Sequence, residues 1–146
     1  MKIAYQFFEK ENLIIQRFIG EFSFEKYISY IQSKTKEYNP ASVKKVLNDF
    51  RDLEIKEESD DFFMNVEKMT EIRKNINKNK ILTDSITVVF WVDKPLPTVI
   101  AQLFIKNLRN KNYLYCSSVN KILEILDLPG EFKNLKYINN NLINTY

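Results

Sequence analysis

The sequence predicts an α/β domain with one mixed, mostly parallel five-stranded sheet and about four helices, in the order β-β-α-β-α-β-α-β-α. Three observations predict it. Residues alternate in character with a period of two from Ile3 to Ile19, broken once by a polar turn. Ile86 to Val92 (ITVVFWV) is the most apolar stretch and is rich in β-branched and aromatic residues. Between the apolar runs lie segments whose hydrophobic residues recur at helical spacing. Helices that alternate with strands require parallel pairing, and an opening hairpin adds one antiparallel strand.

Taken in order, Ile3, Tyr5 and Phe7 alternate with Ala4 and Gln6, and Lys10-Glu11-Asn12 interrupts before the alternation resumes at Leu13. A β-hairpin is expected there, closed by Gly20. Ser23 has the chemistry of an N-cap for a first helix carrying Phe24, Tyr27, Ile28, Ile31 and Thr35, and Pro40 ends it. Val43–Asp49 reads as a short strand entering the core, and the segment from Phe50 to Ile55 as the chain leaving it. Ser59, Asp60 and Asp61 start a second helix, since carboxylates suit the positive end of the helix dipole; Phe62, Val66, Met69 and Arg73 form its stripe. The run from Ile86 to Val92 is expected to be a central strand buried on both faces. Pro95 and Pro97 open a third helix, where a missing N–H costs nothing, and Val99, Ile100, Leu103, Phe104 and Leu108 follow. Asn112–Cys116 reads as the fifth strand. Ser117 or Ser118 caps a last helix with Val119, Ile122, Leu123 and Leu126, which Pro129-Gly130 stops.

The domain is therefore read as residues 1–130. Residues 131–146 form a C-terminal tail rich in asparagine, whose Phe132, Leu135, Tyr137, Ile138, Leu142 and Ile143 suit docking on the domain or on a partner.

Composition excludes more than it assigns. The chain has no histidine, so Ser-His-Asp and Cys-His mechanisms are impossible within it. The single cysteine, Cys116, excludes an intramolecular disulfide and any multi-cysteine metal site. Neither of the two glycines stands in a phosphate-cradling pattern, so no nucleotide cofactor is expected from such a loop. No cofactor, metal or catalytic set is expected at all. A net charge of +3, from 22 basic and 19 acidic residues, is too balanced for a nucleic-acid protein. No apolar run approaches the length of a membrane span and the opening residues alternate like a strand, so the cytoplasm is the expected compartment.

Three stretches carry a family resemblance. Val46-Leu47-Asn48-Asp49-Phe50-Arg51-Asp52-Leu53 is a strand running into an Asp-containing turn, and Thr87–Val92 is a strand followed by a proline-containing turn. Tyr113-Leu114-Tyr115-Cys116-Ser117-Ser118, with the helix after it, is a closing strand and capped helix. In this order, over residues 3 to 128, the chain resembles the STAS family of anti-sigma-factor antagonists and its SpoIIAA-like relatives. The resemblance implies a STAS-like sheet and a non-enzymatic binding or regulatory role through protein–protein contacts. Family members carry a phosphorylatable serine in an Asp-Ser-Ser-Gly pattern before the second helix. Here the stretch is Glu57-Glu58-Ser59-Asp60, with Glu58 at the acceptor position and Asp60 in place of the glycine. A carboxylate there is not a serine-kinase substrate, and its charge is smaller than a phosphate's roughly −1.5 to −2. Related folds of the SEC14 class bind lipids, which adds a carrier or sensor of a small hydrophobic ligand as the alternative.

Two surfaces follow as candidates. Asp52, Glu57, Glu58, Ser59 and Asp60 form an acidic stretch suited to a basic partner, or simply to a solvated helix start. Leu96, Val99, Ile100 and Leu103 give the third helix more apolar surface than one sheet face covers, so the tail, a protein partner or a second copy is expected to pack on it. The basic residues Arg73, Lys74, Lys78 and Lys80, and then Lys106, Arg109 and Lys111, stand where helix C-termini favour cations. Cys116 is expected in the core. A carboxylate-based hydrolase or transferase ranks last, because nothing pairs with those carboxylates in the sequence.

Overall fold

The computed structural model describes residues 1–37, 42–56, 66–72, 74–75 and 86–146. One sheet of six strands runs in the order β5-β4-β3-β2-β1-β6. Strands β1 (Lys2–Phe8) and β2 (Leu13–Glu21) form the expected antiparallel hairpin, and Asn12 takes a left-handed conformation (φ 50°) at its turn. Asparagine tolerates that region better than most residues. Strands β3 (Lys45–Glu54), β4 (Thr87–Trp91) and β5 (Tyr113–Cys116) then add in parallel, one after another, to β2. Ile15, Leu47, Val89 and Leu114 stand in one cross-strand row, so the three segments on which the family comparison rests are immediate neighbours.

Period-two alternation splits the strand residues between two layers. On one face Ile3, Tyr5, Ile14, Phe18, Val46, Phe50, Val88 and Phe90 meet α1 (Phe24–Glu37), α2 (helical at 66–72 and 74–75) and α3 (Pro95–Leu108). The helices contribute Tyr27, Tyr30, Ile31, Met69, Ala101 and Phe104. A chain of rings crosses this layer: Phe18 to Phe50 at 4.9 Å between centroids, Phe50 to Phe90 at 5.4 Å and Phe90 to Phe104 at 5.8 Å. Edge-to-face and tilted pairs of this kind use the ring quadrupole as well as area, which is where the high aromatic content is used. The opposite face buries Leu13, Ile15, Leu47, Val89 and Trp91 beneath α4 (Val119–Ile125), a 3-10 turn (Gly130–Asn134) and α5 (Leu135–Asn140).

Two features differ from the sequence-based expectation. The sheet has a sixth strand, β6 (Asn144–Thr145), which pairs with Ala4 and Tyr5 of β1. Its continuation is a reciprocal backbone pair, Ile3 N to Tyr146 O at 3.1 Å and Tyr146 N to Ile3 O at 2.8 Å. Without it β1 would present unpaired backbone groups to solvent. Second, β3 does not end at Asp49 but continues to Glu54. It follows the full length of β2 through a register shift between Arg17 and Ile19, which a β-bulge accommodates. Phe132 and Leu135 are buried, and residues after Gly130 complete the second layer. The N-cap at Ser23 is as expected: its Oγ accepts the Lys26 N–H at 3.2 Å. Ser118 occupies the N-cap of α4 without a side-chain cap bond. The start proposed for α2 at Ser59–Asp61 lies outside the described residues.

Candidate functional site

Neighbouring positions on β2, β3 and β4 bring together polar and charged residues that the apolar runs on either side do not announce. Asp49 and Arg51 stand two apart on β3 and so share a face. Asp49 is fully buried. Its Oδ1 accepts the Arg51 backbone N–H at 3.1 Å and Nε at 2.9 Å, and its Oδ2 accepts Arg51 Nη2 at 2.7 Å. A fourth donor comes from far along the chain: Asn139 of α5 gives its Nδ2 hydrogen to Asp49 Oδ2 at 2.7 Å. The guanidinium of Arg51 lies over the ring of Trp91, 3.5 Å from its centroid, and Trp91 in turn donates Nε1–H to the Ser117 carbonyl at 3.3 Å. Burial is the largest influence on Arg51 and works against its charge. The hydrogen bonds and charge of Asp49, with the charges of Asp52 and Asp93, outweigh it and hold the guanidinium pKa above its usual value. Beside this pair Arg17 of β2 donates Nε–H to Asp52 at 2.8 Å. The arrangement neutralises itself, arginine against aspartate twice, each arginine engaging its aspartate through Nε and Nη2.

Of the residues singled out from sequence, Asp52 is committed to Arg17, while Glu57, Glu58, Ser59 and Asp60 lie outside the described residues. The third-helix residues divide. Ile100 is buried and Leu103 half-buried, while Leu96 and Val99 are 38% and 44% exposed. The tail does not reach them, because its Phe132 and Leu135 belong to the layer on the other side of the sheet. What does adjoin them is β5, the edge strand: Tyr115, 46% exposed, is on the α3 side, and Leu114, 38% exposed, is on the other face. Gln102 of α3 donates to the Tyr115 hydroxyl at 2.9 Å and ties the two elements together. Cys116, expected in the core, is half-exposed at the end of β5, its Sγ accepting the Ser118 N–H at 3.4 Å.

The basic residues are interleaved with acids where they are described. Lys74, Lys106 and Arg109 line an open cleft of about 480 Å³ together with Glu67 and Glu71. Arg109 is the left-handed C-cap of α3. Another open cleft, of about 440 Å³, lies between the β1–β2 turn and the C-terminal segment, floored by Phe8, Phe132 and Ile138 and rimmed by Glu9, Glu11 and Glu131. Among the described residues no group of three or more His, Cys, Asp or Glu is placed to hold a metal ion, and no helix is long and apolar enough to cross a membrane.

No protein-family model matches the sequence, and no curated protein matches it. The chain is similar in structure to the anti-sigma factor antagonist SpoIIAA in its unphosphorylated form. The TM-score is 0.48 at 11% sequence identity, covering 87% of this chain and 100% of that one.

Arg17, Arg51, Trp91 and Asn139 were not singled out by the sequence reading. The signal for Asp49 and Arg51 is their shared parity in a strand, opposite in charge and following the apolar Leu47 on that side. Asn139 carries no signal of its own, since its partner lies 90 residues away.

Proposed function

We propose that this chain is a non-enzymatic, STAS-like binding or regulatory module whose protein contacts are made at the edge formed by α3 and β5. The observation that carries the reading is the concentration of exposed apolar surface there. Leu96, Val99 and Tyr115 are three of the six exposed large hydrophobic residues among those described, and they sit on α3 and the α3-facing side of β5; a fourth, Leu114, is on the other face of the same strand. Scattered apolar residues are ordinary on a protein surface; apolar residues gathered beside a strand that is the sheet's edge among the described residues are a mark of an interaction site. β5 itself carries no charged residue in Tyr113-Leu114-Tyr115-Cys116, so nothing in the strand repels an incoming chain. A partner strand laid against it would gain main-chain hydrogen bonds, with Tyr115 and Val99 offering side-chain contacts.

The test is a pair of exposed substitutions, Val99→Glu with Tyr115→Glu, compared with the unaltered chain. Sedimentation velocity over a range of concentrations reads self-association, and cross-linking in native lysate reads other partners. The reading expects a complex in at least one assay that the double variant loses while keeping its melting temperature. An unaltered chain that stays monomeric and cross-links to nothing, or a complex indifferent to both substitutions, would end it.

A further inference from the structure

We propose that residues 136–143 form a flap, pinned by Asn139, that opens while the sheet stays folded and uncovers the Asp49–Arg51 pair. This goes beyond the reading above and does not depend on it. The flap has a firm anchor on each side: Leu135 is fully buried before it, and β6 with the Ile3–Tyr146 backbone pair holds the chain after it. Between those anchors Asn139 is the one buried residue. Ile138 and Leu142 are half-buried, and the remaining side chains face solvent, with Tyr137 and Ile143 at 64% and 76% exposure the two most exposed large hydrophobics described.

The pin is only half satisfied. Asn139 Nδ2 is bonded to Asp49, but its Oδ1 is buried with no hydrogen-bond partner. The charge-assisted bond that closes the flap is therefore set against the desolvation of an unmet acceptor. Opening strands no charge, because Asp49 keeps all three bonds from Arg51 when Asn139 leaves. Nor does α5 hold itself in place: it spans Leu135–Asn140 with no side-chain N-cap bond, well below the length at which a helix is stable alone. Asn141 Nδ2 donates to the Tyr137 carbonyl at 2.8 Å, a bond internal to the segment, so it can move as a unit. These are the properties of a locally opening element.

Amide hydrogen exchange would be measured on the full chain, on Asn139→Asp and on Asn139→Ala. In the unaltered chain the amides of residues 139–141 are expected to exchange at least about tenfold faster than those of Leu47 and Val89. Asn139→Asp, which sets a second carboxylate against Asp49, should accelerate them by about another tenfold, with Leu47 and Val89 unchanged. Asn139→Ala, which adds no charge, should accelerate them by less. Flap amides that exchange in step with Leu47 and Val89 would overturn the proposal, as would variants that accelerate all positions alike or leave the flap amides unchanged.

Discussion

Asp49 shows what burying a carboxylate in this sheet requires. With its side chain out of solvent, both oxygens must be met by donors, and Arg51 and Asn139 supply four hydrogen bonds between them. Removing one member of such a pair is far more damaging than removing both, because the survivor is left charged and unpaired. Asp49→Ala is therefore expected to cost about 3–5 kcal/mol in chemical denaturation, and Asp49→Ala with Arg51→Met clearly less than that. Equal losses in the single and double variants would show that the pair is not coupled. Arg51 remains charged at every pH in which the chain is handled, since its surroundings raise a pKa that is already very high. At this scale the sequence is partly legible. The shared parity of Asp49 and Arg51 places them on one face, and apolar neighbours place that face inside. Asn139 is illegible, because no local rule connects a helix residue to a strand residue so distant in the chain.

The elements were largely readable where their signals are local. The Ser23 cap is one such signal, and its bond to the Lys26 N–H gives a specific expectation: Ser23→Ala should destabilise by about 1 kcal/mol. For a domain of this size that is a fall of roughly 2–5 °C in melting temperature by calorimetry. The hairpin, the doubly buried β4 and the proline-led α3 were likewise announced by alternation, by a continuous apolar run and by the tolerance of helix starts for proline. Two elements escaped for the same physical reason. The extension of β3 through Arg51 and Asp52 is imposed by pairing with β2 across a bulge, and polar residues with low strand preference follow their partner there. β6 is two residues long and owes its conformation to the open edge of β1. Tertiary pairing decided both, and periodicity has nothing to say about it. The acidic stretch Glu57–Asp60 stands as a proposal from sequence, outside the described residues.

For the molecule as a whole, the division of labour between the two sheet faces has a measurable outcome. One layer is built from three crossover helices and a ladder of rings. The other depends on α4 and on residues from the end of the sequence, with Phe132 and Leu135 packed among Leu13, Ile15, Leu47 and Val89. Burial of a large apolar side chain is worth about 1.5–3 kcal/mol, and a domain has only about 5–15 kcal/mol in total. A chain ending at Leu128 should therefore lose its cooperative thermal transition and bind a hydrophobic dye such as ANS. A sharp transition at the unaltered temperature would show the second layer to be dispensable.

The strand order also dictates a timetable. On the ribosome each of β2, β3, β4 and β5 emerges just in time to lie against the strand made before it, so the sheet grows in the direction of synthesis. The exception is β6, which must travel back to β1, the first strand made. A nascent chain that has reached Cys116 thus has its parallel array complete but still shows bare apolar side chains on one side. Until residues 130–140 are made and free to fold down, Leu13, Ile15 and Leu47 lack the Phe132 and Leu135 that pack among them.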